Sequence, residues 1–289
     1  MLSTEQKRGF RDNGFVVLPD FKSSAQLSVL KARAEEIAAA HDFDASQEVF
    51  STDQQRGPQA DRVQDYFLGS ANEIRCFFEE QAFDGHGKLT QPLAQSINKI
   101  GHAMHDLDPV FGDFSRGDKL AELARAVGLR DPQIWQSMYI FKQARIGGKV
   151  DWHQDGGFFM TTPGSVTTFW FAIDDATLEN GCLWVEPGGH KGPLRQQFIR
   201  EGRKTKLIDL DATPWPDTST AMPVEVKAGT LVCFHGLLPH YSAPNTSDKA
   251  RHAYTLHVTD GACDYSPKNW IQKRKKSPGS KDFPVRGLL

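Results

Sequence analysis

The sequence predicts a mainly β fold with flanking α-helices: two antiparallel sheets stacked as a jelly roll, cupin-like, with the helices packed outside. The first observation is a run of short segments after residue 130, "IWQSMYIFKQA", "SVTTFWFAIDD", "CLWVEPG", "MPVEVKAGTLVCFHG" and "RHAYTLHVTD". They are rich in aromatic and β-branched residues and are divided by Gly, Pro, Asn and Asp, the composition of strands and turns. The second is that no helical pattern separates them, which argues against a parallel sheet and for a sandwich or barrel. The third is that helical spacing is confined to the first 130 residues, with no Pro- or Ser-rich linker before the strands. The 289 residues therefore read as one domain, 1–289.

Taken in order, "STEQKRGFRDNG" reads as a helix with a Ser3 or Thr4 cap and a Gly14 stop, leading into a short strand "FVVLPDF". "SSAQLSVLKARAEEIAAAH" follows, with Leu27, Leu30, Ala34 and Ile37 at helical spacing behind Ser23 or Ser24. Residues 41–70 are polar and aperiodic and read as a long loop, of a length that is usually either functional or disordered. "PLAQSINKIGHAMHDL" reads as a third helix, with Leu93, Ile97, Ile100 and Met104 along one side, and "DKLAELARAVG" as a fourth that ends at Gly128. The tail "QKRKKSPGSKDFPVRG" is basic and Pro/Gly-containing and reads as a solvated surface segment.

Composition narrows the class of protein. Hydrophobic residues make up 39% and charged residues 24%, with a formal net charge of −2, so neither nucleic acid nor an anionic membrane is an expected partner. No apolar run approaches the roughly 18 residues of a membrane span. Cys76, Cys182, Cys233 and Cys263 lie far apart with no C-x-x-C pair, so neither a zinc cluster nor a disulfide framework is expected. The polar start lacks a leader and the end is not of the S-K-L type, which together suggest the cytoplasm.

Chemistry enters at "DWHQDGGFF", residues 151–159. His153 and Asp155, at i and i+2, project to one side of extended chain and could share a cation. A third ligand is needed, and His235, His240, His252 and His257 are all downstream. His252 and His257 fall within a strand pattern and read as ordinary sheet residues, and His235 as the end of a strand. His240 is followed by Ser242 and, one loop later, by Arg251. That grouping suits one chemistry. Two imidazoles and a carboxylate on one face of Fe(II) leave three positions open, two of which the keto-acid end of 2-oxoglutarate can fill. The far carboxylate of 2-oxoglutarate needs a planar, permanently charged partner, the role of Arg251, with the Ser242 hydroxyl beside it.

"HQD" at 153–155 and "H-Y-S-x-x-N-x-S-x-x-x-R" from His240 to Arg251 resemble the phytanoyl-CoA dioxygenase family of iron(II)- and 2-oxoglutarate-dependent oxygenases. "SINKIGHAMHDLDPVF", "QSMYIFKQ", "DATLENGCLW", "PGGHKGP", "DYFLGSANEIRCFFE" and "SPKNW" resemble one branch of it, so the likeness runs nearly end to end. The resemblance implies a double-stranded β-helix with Fe(II) on His153, Asp155 and His240, and 2-oxoglutarate on Arg251 and Ser242. It further implies that Lys99, Met138 and Trp170 line the cosubstrate pocket, and that O2 is the second cosubstrate. Related halogenases replace the carboxylate by a small residue, so Asp155 favours hydroxylation, with succinate and CO2 released.

A jelly roll that binds metal and 2-oxoglutarate without turnover, a sensor or pseudoenzyme, stays open on sequence grounds. A cupin-like storage or isomerase domain would have no use for Arg251. The substrate is a small molecule, an acyl-CoA or a secondary metabolite among the candidates, with "KRKK" at 273–276 a conceivable site for coenzyme A phosphates. Segments 41–70 and 191–222 are expected to cover the entrance. His102 and His105 read as structural or capping residues spaced i, i+3 on the third helix, and His190 as a loop residue near the entrance.

Overall fold

The computed structural model describes residues 2–50, 65–272 and 287–288. Two capped helices open the chain. In α1 (Thr4–Asn13) and α2 (Ser24–Ala39), Ser3 and Ser23 accept from the backbone N–H of Gln6 and Gln26, whose side chains accept in return from the cap N–H. Gly14, at φ +85°, ends α1 in the left-handed conformation, and β1 (Phe15–Leu18) follows. Next come α3 (Asp65–Gly69), β2 (Ile74–Phe78), β3 (Ile97–His102), α4 (Met104–Leu107), α5 (Pro109–Phe114) and α6 (Asp118–Ala126). Asp108 caps α5 ahead of Pro109, and α6 carries the fourth predicted helix.

The remaining elements are strands: β4 (Pro132–Ile140), β5 (Val150–His153), β6 (Thr161–Thr162), β7 (Thr167–Ala172), β8 (Leu183–Val185), β9 (Gln196–Glu201) and β10 (Lys204–Asp209). β11 (Met222–Val224), β12 (Leu231–His235), β13 (His240–Ser242), β14 (Ala253–Asp260) and β15 (Asp264–Tyr265) complete them. Seven form one sheet in the order β1-β12-β7-β14-β4-β3-β2, and four form a second in the order β11-β8-β13-β5. All these pairings are antiparallel. Trp170, Ala172, Val232, Phe234 and Ala253 of the large sheet pack against Leu183, Val185 and Val224 of the small one, which places the two sheets face to face. On the other side of the large sheet, Leu30 and Ala34 of α2 and Leu120 and Ala124 of α6 join Ile134, Phe169, Phe171, Tyr254 and Leu256 in the main core. This is the predicted jelly roll with helices outside.

Three expectations are corrected. The third predicted helix is a 3-10 turn (Leu93–Gln95), strand β3 and the one-turn α4. The misleading signal has a physical cause: the β2–β3 register shifts, with Lys99 opposite Phe77 but Ile97 opposite Phe78, so Asn98 is a bulge. A bulge puts residues three apart on one face, and Ile97 and Ile100 both enter the core just as they would from a helix. His102 therefore ends a strand rather than sitting on a helix with His105. Segment 41–70 is not all loop, because residues 65–69 form α3; residues 51–64 lie outside the described residues, as does 273–276. His190 packs on His235 and the carbonyl of Arg11, away from the cavity described below.

Candidate active site

The pairing of β5 with β13 sets His153 directly opposite His240, with ring centroids 4.0 Å apart. After His153 the chain turns through a 3-10 segment, Asp155–Gly157, that returns the Asp155 carboxylate toward both rings. The turn needs its glycines: a Cβ on Gly157 would stand 2.3 Å from the Gln196 carbonyl oxygen. Asp155 Oδ1 lies 3.5 Å from His153 Nε2, and Oδ2 lies 3.8 Å from His240 Nε2. One ligand atom from each residue falls within 4.8 Å of the others, a group that could hold a metal ion.

Hydrogen bonding prepares both imidazoles as ligands. His153 Nδ1 lies 2.8 Å from the Asp151 carbonyl, and His240 Nδ1 lies 3.0 Å from that of Leu238. A carbonyl only accepts, so each Nδ1 carries a proton, and each Nε2 is the atom turned toward a cation. Burial pushes the His240 pKa down to about 4, which keeps that ring neutral. Burial also acts to raise Asp155, but its imidazole neighbours, His257 foremost, outweigh it and hold the carboxyl well below its ordinary value. Thr168 Oγ1 donates to Asp155 Oδ2 at 2.5 Å, and His257 Nε2 lies 3.3 Å from the same oxygen. Two imidazoles and one fixed carboxylate, with room beside them, fit a divalent iron that keeps positions open.

The three side chains face a cavity of about 160 Å³ between the sheets, and Arg251, Ser242, Lys99, Met138 and Trp170 all line it. Every site residue named from the sequence is therefore brought to one chamber. Arg251 is 2% exposed; its Nη2 donates to the Gly181 carbonyl at 2.9 Å and to Ser242 Oγ at 3.3 Å. Its Nε and Nη1 are buried without a partner among the described residues. The guanidinium stands 5.4 Å from the Trp170 ring centroid, a cation–π contact. Burial lowers the Arg251 pKa to about 10 and that of Lys99 to about 7, the Glu79 carboxylate opposing the shift at Lys99. Lys99 Nζ lies 3.2 Å from the centroid of Phe50.

Other residues of the chamber escaped the sequence reading. Lys142 is buried there, donating to the Gly148 carbonyl at 2.7 Å, with the buried Glu79 nearby. His257, taken for an ordinary sheet residue, touches the Asp155 carboxylate. The signal that could have found it is parity: Arg251, Thr255 and His257 are spaced by even numbers and line the cavity together. Of the expected entrance segments, Phe50 and Phe67 from the first and Gln196 and Leu207 from the second reach the cavity wall.

Two facing antiparallel sheets with two imidazoles and a carboxylate converging between them define the class of non-haem iron oxygenases built on a double-stranded β-helix. Among solved structures the chain is similar to the non-heme α-ketoglutarate-dependent carbocyclase SnoK from nogalamycin biosynthesis. Their identity is 18% and the TM-score 0.63, covering 92% of this chain and 87% of that one. It is also similar to EctD from S. alaskensis with bound Fe, at 20% identity and a TM-score of 0.60, covering 95% and 82%. At those identities the likeness speaks for the fold. The sequence model described as Phytanoyl-CoA dioxygenase (PhyH) matches residues 10–253. A phytanoyl-CoA dioxygenase of Arabidopsis thaliana is 43% identical over 275 residues, 95% of either chain. Phytanoyl-CoA dioxygenase domain-containing protein 1 of Bos taurus is 42% identical over 282 residues, 96% of this chain and 97% of that one. The chain belongs to the phytanoyl-CoA dioxygenase family.

Proposed function

We propose that this protein is an Fe(II)- and 2-oxoglutarate-dependent dioxygenase that hydroxylates a small organic or lipid-like substrate and releases succinate and CO2. The observation that carries the reading is Arg251. A buried guanidinium with Nε and Nη1 unpartnered costs free energy unless an anion meets it, and it lines the same cavity as the three metal-binding groups. A dicarboxylate that reaches from metal to arginine meets both needs.

Bound iron supplies the activation of O2 and the oxidative decarboxylation of 2-oxoglutarate; the protein supplies position and dryness. His153 and His240 present their Nε2 atoms, and Asp155 brings one negative charge, its Oδ2 tied by Thr168. Arg251 and Ser242 receive the far carboxylate, with Lys99 as a second cation. Met138 and Trp170 wall the chamber, which strengthens each charge interaction by excluding water.

The test is anaerobic reconstitution with Fe(II) and 2-oxoglutarate, an oxygen pulse and quantification of succinate. Succinate from the parent and none from Asp155→Ala, with unchanged circular dichroism, is the expected result. Equal succinate from the two would overturn the ligand assignment, and none from the parent across a substrate screen would leave a binding protein without turnover.

A further inference from the structure

At one end of the cavity the wall is aromatic. Phe158 lies 6.1 Å from the His153 ring, and Phe67 and Trp270 stack at 4.4 Å. His102, fully buried, lies edge-on to Trp270 at 5.1 Å and lines the same cavity. Among these rings it supplies a hydrogen-bond acceptor. Its Nδ1 lies 2.7 Å from Ser70 Oγ, and its Nε2 is buried without a partner among the described residues.

Proton bookkeeping fixes which kind of group Nε2 needs. Ser70 Oγ lies 2.5 Å from the Phe67 carbonyl oxygen, which can only accept, so the single hydroxyl proton goes there. Ser70 Oγ must then accept from His102 Nδ1–H. Burial, reinforced by Lys99 and His257, holds the His102 pKa well below its ordinary value, so the ring is neutral. The tautomer inferred from this network leaves Nε2 a bare lone pair turned away from Ser70. An acceptor in a dry aromatic wall costs free energy until a donor meets it.

We infer that the aromatic end of the cavity seats a compact, uncharged molecule that presents one O–H or N–H group to His102 Nε2. His102 is then a specificity-determining residue. The rings themselves offer contact area and no charge, and Lys99, the cation that reaches His102, is taken up by 2-oxoglutarate in the oxygenase reading, so a charged group lodged among the rings would be desolvated without a partner of its own. The saturated chain of an acyl thioester has no donor to give. The inference deepens the oxygenase reading and rests on it only in calling the occupant a substrate.

Indole and benzofuran make the test. They are nearly isosteric, and only indole carries a donor. Their dissociation constants are measured by chemical-shift titration on the full chain, both metal-free and loaded with zinc(II) and 2-oxoglutarate. The parent should bind indole about tenfold or more tighter than benzofuran, the loss expected when a site built for a donor meets an isostere lacking it. Histidine 15N shifts should report His102 protonated at Nδ1. His102→Phe should bring the ratio near one. Ser70→Ala, which frees the tautomer without changing the wall, should lower the ratio and alter the 15N signature. Equal affinities in the parent, no binding of either probe, or a ratio kept in both variants would overturn the inference. The metal-free arm needs no turnover, so a failed succinate assay leaves it standing, and a failed probe assay leaves the oxygenase reading standing.

Discussion

The two faces of the seven-stranded sheet obey different rules, and strand β14 carries both. Tyr254, Leu256 and Val258 point toward the helices and sit in the main core, where the Tyr254 hydroxyl is paired with Ser115 at 2.7 Å. Thr255 and His257, with Arg251 two residues before the strand, line the cavity. Four of their polar atoms (Arg251 Nε and Nη1, Thr255 Oγ1 and His257 Nδ1) are buried without a partner among the described residues. Folded interiors leave few such atoms, so a cluster at even spacing on one strand marks the face that waits for a ligand. Stability and chemistry are thus separated by one residue of phase. The outward residues hold the sheet to the helices, while the inward ones pay for unmet hydrogen bonds that ligands can satisfy.

The outward face gives the largest effect. Leu256 is fully buried against the helices, and Leu256→Ala should cost about 2–5 kcal/mol in urea unfolding, as loss of a core leucine does. Its 2-oxoglutarate affinity should stay within about twofold of the parent. If affinity fell in step with stability, the two faces would not be separable and the comparison would break.

On the inward face, Arg251→Lys should do the reverse. A lysine keeps the charge but loses the planar fork, so 2-oxoglutarate binding to the iron-loaded protein should weaken by about 1–3 kcal/mol. The unfolding midpoint should move less than in Leu256→Ala. Calorimetric titration measures the first and urea unfolding the second. Unchanged affinity in the lysine variant would remove Arg251 from the anion site.

What the sequence made legible follows the same division. The candidate metal group was readable because a cation demands particular residue types, and His153, Asp155 and His240, which the structure brings together, are of those types. The helices α1 and α2 were readable from their serine caps, the Gly14 stop of α1 and the helical spacing of Leu27, Leu30, Ala34 and Ile37 in α2. Strand β3 was not, because the bulge at Asn98 gave Ile97 and Ile100 the spacing of a helix. The β9–β10 hairpin was missed because its sequence is mostly polar, with little apolar signal to read. His257 and His102 were placed as ordinary structural residues, since local pattern cannot say which face of a strand meets a cavity made by segments more than a hundred residues apart. Chemistry is written in residue types, whereas the direction a side chain faces is written in the topology.

Lys99 offers the subtlest test of the inward face, because its charge is itself at stake. Burial lowers its pKa to about 7, so in the unliganded protein it is charged below that pH and mostly neutral above it. A dicarboxylate that binds beside it favours the charged form and raises the pKa. The sign follows: below pH 7 the cation is already present and binding moves no proton, while above pH 7 binding must take one up. The 2-oxoglutarate dissociation constant should therefore be flat below pH 7 and weaken by up to about tenfold per pH unit above it, until the raised pKa is reached. Calorimetric titration at pH 8 in two buffers of different ionisation enthalpy should show proton uptake approaching one per 2-oxoglutarate bound. Lys99→Met should abolish that uptake, at the cost of weaker binding at low pH. No uptake in the parent would place Lys99 outside the anion's reach and leave Arg251 and Ser242 to hold the far carboxylate.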